Sequence, residues 1–272
     1  MNFFTPGEII DNYSKAGKVK AERPTGKLFA LAVLAGMLIA FGAATANTAT
    51  HSIADVSTAK IIGGLLFPFG LGMVILMGAE LFTGNILIGI SVLNKETTPA
   101  KALRNWWMVY CGNLVGALLV AIGCAWFGQL DYSGGGLAVY TVRIAAAKCA
   151  IPFPNGIVLG IFCNVLVCAG VLCSLSAKST SGRILGAYIP VAFFVICGFE
   201  HCIANMFYIP AGLFALQVPR YAQAVVNAGI DISMLNWQNF FLVNLLPVTL
   251  GNILGGLLLG TALWYANRKS AA

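Results

Sequence analysis

The sequence predicts an all-α membrane protein with six transmembrane helices, arranged as an inverted 3+3 repeat in which the second and fifth helices are broken. Three observations support this fold class. The composition is too apolar for a soluble domain, the chain contains six long apolar segments, and two of these segments share a motif with a polar centre. Each half of the chain is therefore expected to carry polar groups at an interruption in a membrane helix.

The composition excludes a soluble globular protein. The chain has 272 residues, of which 59% are hydrophobic and only 9% are charged, whereas soluble domains carry about 25% charged residues. A helix needs about 20 apolar residues to cross a hydrocarbon core of about 30 Å. The apolar stretches are continuous and do not alternate with period two, which favours helices over β-strands. Residues 1–272 are therefore predicted to form a single transmembrane domain.

Six apolar segments are candidates for the membrane helices. A polar link at 128–152 divides the chain into repeat halves of roughly 28–127 and 153–265, and it is predicted to contain a short helix on the membrane surface. Residues 1–27 form an N-terminal segment that is expected either to lie near a pore mouth or to anchor the chain to the membrane surface. The segments are 28–47, 61–93, 103–127, 153–175, 184–216 and 238–265.

The distribution of basic residues indicates the topology. The formal net charge is +7, and 12 of the 16 Lys and Arg residues lie before the first segment, in 94–104, in 176–183 or at the C-terminus. Since cytoplasmic loops carry an excess of Lys and Arg, we expect a multi-pass protein of the cell (inner or plasma) membrane with both termini in the cytoplasm. This accounts for the positive charge without a nucleic-acid partner. The basic residues on the opposite side are Lys60, Arg143, Lys148 and Arg220.

An internal repeat links the second and fifth apolar segments. Each has 33 residues, which would be about 50 Å of helix and exceeds the thickness of the hydrocarbon core. Both contain the motif Gly-x-Glu-x-x-x-x-Asn at a separation of 120 residues, with Glu80 and Asn85 in one and Glu200 and Asn205 in the other. The length and the polar centres predict that both helices are broken.

The third and sixth segments share a second motif. Gly-Asn-x-x-Gly begins at Gly112 and again at Gly251, 139 residues later. Because three helices per half reverse the orientation of the next half, the two halves are related by an axis in the membrane plane. Paired interrupted helices in such a repeat indicate a transport site at the interface between the halves. That site is predicted to involve residues 80–85 and 200–205.

The two glutamates, Glu80 and Glu200, are the only carboxylates within the apolar segments, where a charge is costly. One interpretation is a proton relay or cation site. The favoured interpretation is structural, with each carboxylate accepting hydrogen bonds from backbone N–H groups that the helix break leaves free. Asparagine amides are expected to satisfy broken-helix carbonyls or to bridge helices. These asparagines are Asn85, Asn113, Asn164, Asn205 and Asn252.

Two other polar side chains could act on an anion. His201 lies in the middle of the fifth segment, and an imidazole with an ordinary pKa of about 6.5 can act as a neutral donor or as a cation. The other histidine, His51, lies in a link and is interpreted as incidental. Lys148 lies just before the fourth segment; it is either a solvated interfacial lysine or a fixed charge that attracts anions.

The sequence contains none of the common catalytic or metal-binding motifs. It has no GxxxxGK[ST] phosphate loop, no HExxH and no GxSxG, and two histidines are too few for a multi-histidine metal centre. We therefore expect a protein that is not an enzyme and has no cofactor and no metal site.

Two stretches identify a family resemblance. AELFTGN at 79–85 and GFEHCIANM at 198–206 closely resemble the two signature stretches of the formate/nitrite transporter family, and the resemblance extends over nearly the whole chain. It implies an aquaporin-like fold that assembles in the bilayer as a homopentamer with one pore in each protomer. It also implies small monovalent anions as substrates, namely formate, nitrite or hydrosulfide.

The resemblance also implies roles for individual residues. By position, His201 resembles the central pore histidine, Thr83 its hydrogen-bonding neighbour and Lys148 the vestibule lysine, while Asn164 and Glu200 resemble supporting polar partners. Asn205 is grouped with these pore residues, and Glu80 and Asn85 with the support of the broken helix. The residues that resemble apolar constrictions on either side of the histidine are Phe67, Leu71, Leu81, Phe82 and Phe194.

The preferred anion stays open at this point, because the residues after Thr83 and after His201 match neither a formate nor a nitrite subgroup. Two alternatives to an anion channel also remain. One is a proton-coupled secondary anion transporter in which Glu80, Glu200 and His201 titrate in sequence. The other is an aquaporin-like channel for neutral solutes, although the paired Asn-Pro-Ala signature is absent from the sequence.

Overall fold

The computed structural model describes residues 3–268. Lys269, one of the two basic residues counted at the C-terminus, lies outside this range. A 3₁₀ segment, Gln129–Gly135, precedes α8, and a π-helical turn, Phe240–Leu245, precedes α14. The α-helices are α1 (Pro6–Glu22), α2 (Thr25–Thr50), α3 (Val56–Leu66), α4 (Phe69–Leu76), α5 (Phe82–Asn85), α6 (Ile88–Leu93), α7 (Pro99–Trp126), α8 (Gly136–Cys149), α9 (Phe153–Ser176), α10 (Thr180–Cys197), α11 (Cys202–Ala215), α12 (Pro219–Asn227), α13 (Trp237–Asn239) and α14 (Leu246–Asn267).

Six helical stretches within residues 3–268 are long and apolar enough to cross a membrane, which confirms the predicted number. They are α2, α3 with α4, α7, α9, α10, and the stretch from α13 through α14. Several begin about one turn before the predicted apolar segment, because a polar residue caps them. Asp55 Oδ1 accepts from Thr58 N at 2.8 Å, and Thr98 Oγ1 accepts from Lys101 N at 3.3 Å.

The second and fifth predicted segments are broken at equivalent places. The helical path stops after Leu76 and resumes at Phe82 in the first half, and it stops after Cys197 and resumes at Cys202 in the second. Gly78 and Gly198 follow the two helix ends with φ of 66° and 72°, a left-handed conformation that glycine adopts without a steric penalty. The prediction of two broken helices is confirmed.

Close helix pairs hold the breaks in place. α2 packs along α7 in the first half, and α9 packs along α14 in the second. Gly116 lies against the Val33 carbonyl, and Gly255 lies against the Ile161 carbonyl, so closely that a Cβ at either glycine would collide with backbone. The Gly-Asn-x-x-Gly motif is therefore a packing motif that allows two membrane helices to approach.

The helix predicted in the link at 128–152 is present as α8, but it does not lie free on a surface. Leu137 and Ala138 are completely buried, and α8 packs against α11. In the first half, α1 occupies a comparable place. Tyr13 of α1 is 1% exposed, and its hydroxyl donates to the Gly84 carbonyl at 3.1 Å. Apolar faces on both helices bring them into the bundle, beside the breaks.

Candidate functional site

His201 lies at the N-terminus of α11, beside the break in the fifth segment, and is only 3% exposed. Its Nδ1 accepts from the backbone N–H of Ala204 at 3.1 Å, so it serves as the N-cap of α11. Its Nε2 lies 2.9 Å from Thr83 Oγ1. Because Nδ1 is an acceptor, the neutral ring carries its proton on Nε2 and donates it to Thr83. The Thr83 hydroxyl proton then remains available for another acceptor.

Two cavities open near the breaks. The first vestibule has a volume of about 560 Å³ and is lined by Lys148, Glu200 and His201, among others. The second vestibule has a volume of about 330 Å³, and its lining includes Lys20 and Glu80. Lys148 of the first vestibule lies on α8, and Lys20 of the second lies on α1. Each vestibule therefore contains one lysine from a helix beside the bundle and one glutamate from a helix break.

Each buried glutamate is paired with the lysine of its own vestibule. Lys148 Nζ donates to Glu200 Oε1 at 2.8 Å, and Lys20 Nζ donates to Glu80 Oε2 at 2.8 Å. Glu80 also has a second cation, because Arg23 Nε lies 3.5 Å from its Oε1. Lys148 is therefore neither fully solvated nor an isolated charge, since it compensates the carboxylate that the fifth segment buries.

The prediction that the glutamate carboxylates accept the free backbone N–H groups is wrong. The acceptors are asparagines of the packed partner helices: Phe82 N donates to Asn113 Oδ1 at 2.9 Å, and Cys202 N donates to Asn252 Oδ1 at 2.9 Å. The carboxylates point instead to the lysines at the vestibules. A neutral amide suits the break better, because it accepts the N–H and also donates to nearby carbonyls.

The apolar residues predicted as constrictions are divided between the two vestibules. Phe67 and Phe194 line the first, where their ring centroids are 5.8 Å apart in an edge-to-face contact. The Phe194 ring also stacks on His201, with centroids 5.8 Å apart. Leu71 and Leu81 line the second vestibule. His201 lines the first vestibule and is not among the residues that line the second, so a pair of constrictions on either side of the histidine stays a prediction.

Phe82 differs from the other four apolar candidates. It is 3% exposed, and its ring packs edge-to-face on Tyr110 of α7 with centroids 4.9 Å apart. It is not among the residues that line either vestibule. This places Phe82 at the start of α5, against the neighbouring helix.

The chain thus combines two broken helices, a buried contact between His201 and Thr83, and two vestibules that each contain a lysine and a glutamate. The model of the family described as formate/nitrite transporter matches residues 7–266. The chain belongs to this family. Its curated relatives are named as channels and transporters, so this member of the formate/nitrite transporter family is a multi-pass membrane transport protein and not an enzyme.

Named relatives and solved structures agree with this assignment. The transporter is 37% identical over 265 residues to the "Formate channel FocA" of Escherichia coli, an alignment that covers 95% of this chain and 93% of that protein. It is 33% identical to a "Probable formate transporter" of Methanothermobacter thermautotrophicus, with 98% of both chains covered. The structure of a "Pentameric formate channel with formate bound" matches with a TM-score of 0.79 and 35% identity, covering 89% of this chain and 96% of that one.

The repeat in the transporter extends to individual hydrogen bonds around the glutamates. Asn85 Nδ2 donates to Glu80 Oε2 at 2.7 Å and to Asn105 Oδ1 at 2.9 Å, while Asn105 Nδ2 donates to the Lys20 carbonyl at 2.9 Å. In the other half, Asn205 connects Glu200 and Asn244 in the same way, and Asn244 donates to the Lys148 carbonyl at 2.9 Å. Each network joins a vestibule helix to a break.

Sequence reasoning missed Lys20, Asn105 and Asn244, although the sequence does contain signals for them. Lys20 and Lys148 are both followed by x-x-x-Pro, at Pro24 and Pro152. Asn105 and Asn244 each precede the asparagine of the Gly-Asn-x-x-Gly motif by eight residues. Neither pattern is specific by itself, but both occur at corresponding places of the repeat.

Asn164 supports the site in a way that the repeat does not duplicate. Its Nδ2 donates to the Thr83 carbonyl at 3.2 Å and to the Asn252 carbonyl at 2.6 Å. It thus connects the backbone of the residue that contacts His201 with the helix that caps the other break. The structure shows that Asn164 bridges two helices, while its role as a polar partner of the pore stays a prediction.

Proposed function

We propose that the protein is a channel for small monovalent anions of weak acids, with formate as the principal substrate and nitrite and hydrosulfide as further candidates. The observation that carries the proposal is the buried contact between Thr83 and His201, which lies beside a vestibule with a cation and next to apolar side chains. The names of the similar proteins support formate over the other two anions.

The proposed mechanism begins with attraction into a vestibule. Lys148 in the first vestibule is paired with Glu200, and Lys20 in the second is paired with Glu80. The net positive charge therefore comes from the further basic side chains, Lys60 and Arg143 in the first vestibule and Arg23 in the second. A vestibule of one sign raises the local concentration of oppositely charged ions. An anion therefore reaches the apolar constriction at a higher concentration than it has in bulk solution.

The constriction then discriminates by charge. Phe67, Phe194, Leu71 and Leu81 offer no polar group that could replace the hydration shell of an ion, so a permanently charged anion meets a high barrier. The conjugate base of a weak acid has a lower barrier, because a proton can neutralise it and a strong hydrogen bond can stabilise its charge. His201, acting directly or through the Thr83 hydroxyl, is the group proposed to supply this stabilisation.

The assembly and orientation belong to the same proposal. The similarity to a structure described as pentameric supports a homopentamer with one pathway in each protomer. The positive-inside bias supports a location in the cell membrane with both termini in the cytoplasm, which would place the second vestibule, lined by α1, on the cytoplasmic side.

Stopped-flow uptake into proteoliposomes tests the function. Formate, nitrite, hydrosulfide, chloride and glycerol are compared at pH 6 and pH 8 against protein-free liposomes. We expect a flux of the weak-acid anions that does not saturate with anion concentration and is greatest for formate. Chloride flux should be small. Glycerol flux without anion flux would instead indicate the neutral-solute channel. Uptake that saturates and follows an imposed proton gradient would indicate the proton-coupled transporter.

A further inference from the structure

The first vestibule is large and is lined by several charged side chains. Its volume of about 560 Å³ is large compared with formate or nitrite, which have three non-hydrogen atoms each. It is lined by three basic side chains and one carboxylate: Lys60, Arg143, Lys148 and Glu200. At neutral pH these four groups leave two positive charges that are not compensated within the cavity lining.

The two uncompensated charges lie on different helices. Lys148 is paired with Glu200, whereas Lys60 on α3 and Arg143 on α8 have no hydrogen bond or ion pair with another residue in the described range 3–268. Lys60 Nζ lies beside Gly198 at the break in the fifth segment. Two walls of the vestibule therefore each present one cation with free donors.

A neutral donor in the same lining also has no partner. Asn47 on α2 lines the vestibule and is only 5% exposed, so its amide is largely withdrawn from bulk water. Its Nδ2 has no hydrogen-bond partner among residues 3–268. Because a buried donor without a partner costs free energy, the vestibule wall contains a group that an acceptor-rich ligand would satisfy.

We propose that the first vestibule binds a small dicarboxylate, with one carboxylate on the Arg143 guanidinium and the other on the Lys60 ammonium. The planar guanidinium matches a carboxylate in a bidentate geometry, whereas the ammonium acts as a point charge. A dianion compensates the two free charges, which a monovalent anion does not. It cannot follow formate inward, because one added proton leaves it still charged at the Phe67–Phe194 constriction. The bound dicarboxylate therefore blocks entry of the transported anion.

Malonate is the probe for this site, and acetate at equal ionic strength is its monovalent control. Isothermal titration calorimetry on the purified protein measures binding, and stopped-flow formate uptake with malonate on both sides of the membrane measures block. We expect malonate to bind and to inhibit, and acetate to do neither at the same concentration. Equal effects of the two anions at matched ionic strength would overturn the proposal.

Three single substitutions locate the site. Lys60→Gln and Arg143→Gln are each expected to weaken malonate binding and inhibition at least tenfold. The matched control is Arg220→Gln, which removes one positive charge on the same side of the protein but from a residue that pairs with Asp131 and does not line the vestibule. Unchanged malonate affinity in both vestibule variants, or an equal loss in the control, would contradict the proposed site.

The calorimetry does not depend on transport. Malonate binding without formate flux in any preparation would refute the proposed function, and with it the block that rests on that function, and would leave the dicarboxylate site standing. Formate flux without malonate binding would refute this inference and leave the proposed function standing.

Discussion

Replacing the two vestibule lysines by methionine should have unequal effects on stability, although the lysines are related by the repeat. In Lys148→Met, the carboxylate of Glu200 stays buried, with a side chain that is 6% exposed, and loses its cation at 2.8 Å. In Lys20→Met, Glu80 keeps Arg23 at 3.5 Å. Arg23 Nε and Glu80 Oε1 are both without a hydrogen-bond partner among residues 3–268, so a small shift would join them.

The distances give the size of the difference. At an effective dielectric constant of about 20, a charge pair at 2.8 Å attracts by about 6 kcal/mol and one at 3.5 Å by about 5 kcal/mol. Leaving a buried charge without its partner costs about 3–5 kcal/mol in measured cases, which is our expectation for Lys148→Met. In Lys20→Met, Glu80 is not left without a cation, because Arg23 still attracts it by about 5 kcal/mol. We therefore expect a smaller cost for Lys20→Met, about 1–2 kcal/mol.

The assay is thermal unfolding of the purified variants in one detergent, followed by intrinsic fluorescence and by size-exclusion chromatography of the heated sample. Lys148→Met should melt at a clearly lower temperature than Lys20→Met. Adding Glu200→Gln to Lys148→Met should restore much of the loss, because a neutral amide keeps an acceptor for Asn205 and removes the unpaired charge. A larger loss for Lys20→Met, or no rescue by Glu200→Gln, would refute the reasoning.

Three further predictions follow from single contacts. Asn113→Leu and Asn252→Leu should each lower the melting temperature by a similar amount, with a cost of several kcal/mol, because each removes three buried hydrogen bonds at a break; one tolerated and one disruptive substitution would contradict the symmetry. Thr83→Val should keep assembly but reduce formate uptake in stopped-flow several-fold, because it removes the hydroxyl that contacts His201; unchanged uptake would exclude a role for that contact in transport. The Tyr221 hydroxyl holds the pKa of Asp131 below its ordinary value, so Asp131 contributes stability above about pH 4 that is lost as the pH falls through the lowered pKa. Asp131→Asn should therefore lower the melting temperature at pH 7 and have a progressively smaller effect as the pH falls below 4, whereas an effect that does not change with pH would contradict this sign.

The broken helices could be predicted from the sequence because their signals are local. A 33-residue apolar segment is too long for one crossing, and the glutamate and asparagine of the repeated motif lie near the middle of each segment. The structure confirms the two breaks, which lie at Gly78 and Gly198. The Gly-Asn-x-x-Gly motif indicates from the sequence only that the two halves repeat. Its packing role is visible in the structure, where a Cβ at Gly116 or Gly255 would collide with the backbone of the neighbouring helix.

The partners of the glutamates could not be predicted from local signals. Lys20 is 60 residues away from Glu80 in the chain, and its contact exists only because α1 packs into the bundle through residues such as Tyr13. The sequence of α1 is polar enough to suggest a surface helix, and only its buried face shows otherwise. The cation that compensates a buried carboxylate is brought to it only by the assembled fold. The sequence alone therefore favours the nearby backbone N–H groups as partners of the two glutamates.

The central claim is that His201 stabilises the anion at the apolar constriction. The most direct test is formate uptake as a function of pH for His201→Asn. Asparagine can still cap α11 by accepting the Ala204 N–H, so the fold is retained while the imidazole is lost. His51→Asn, which removes the other histidine, is the matched control. We predict that His201→Asn reduces formate uptake at least tenfold between pH 5 and pH 8 or abolishes its pH dependence, while the control behaves like the unmodified protein. Uptake by His201→Asn that matches the unmodified protein at every pH would contradict the account.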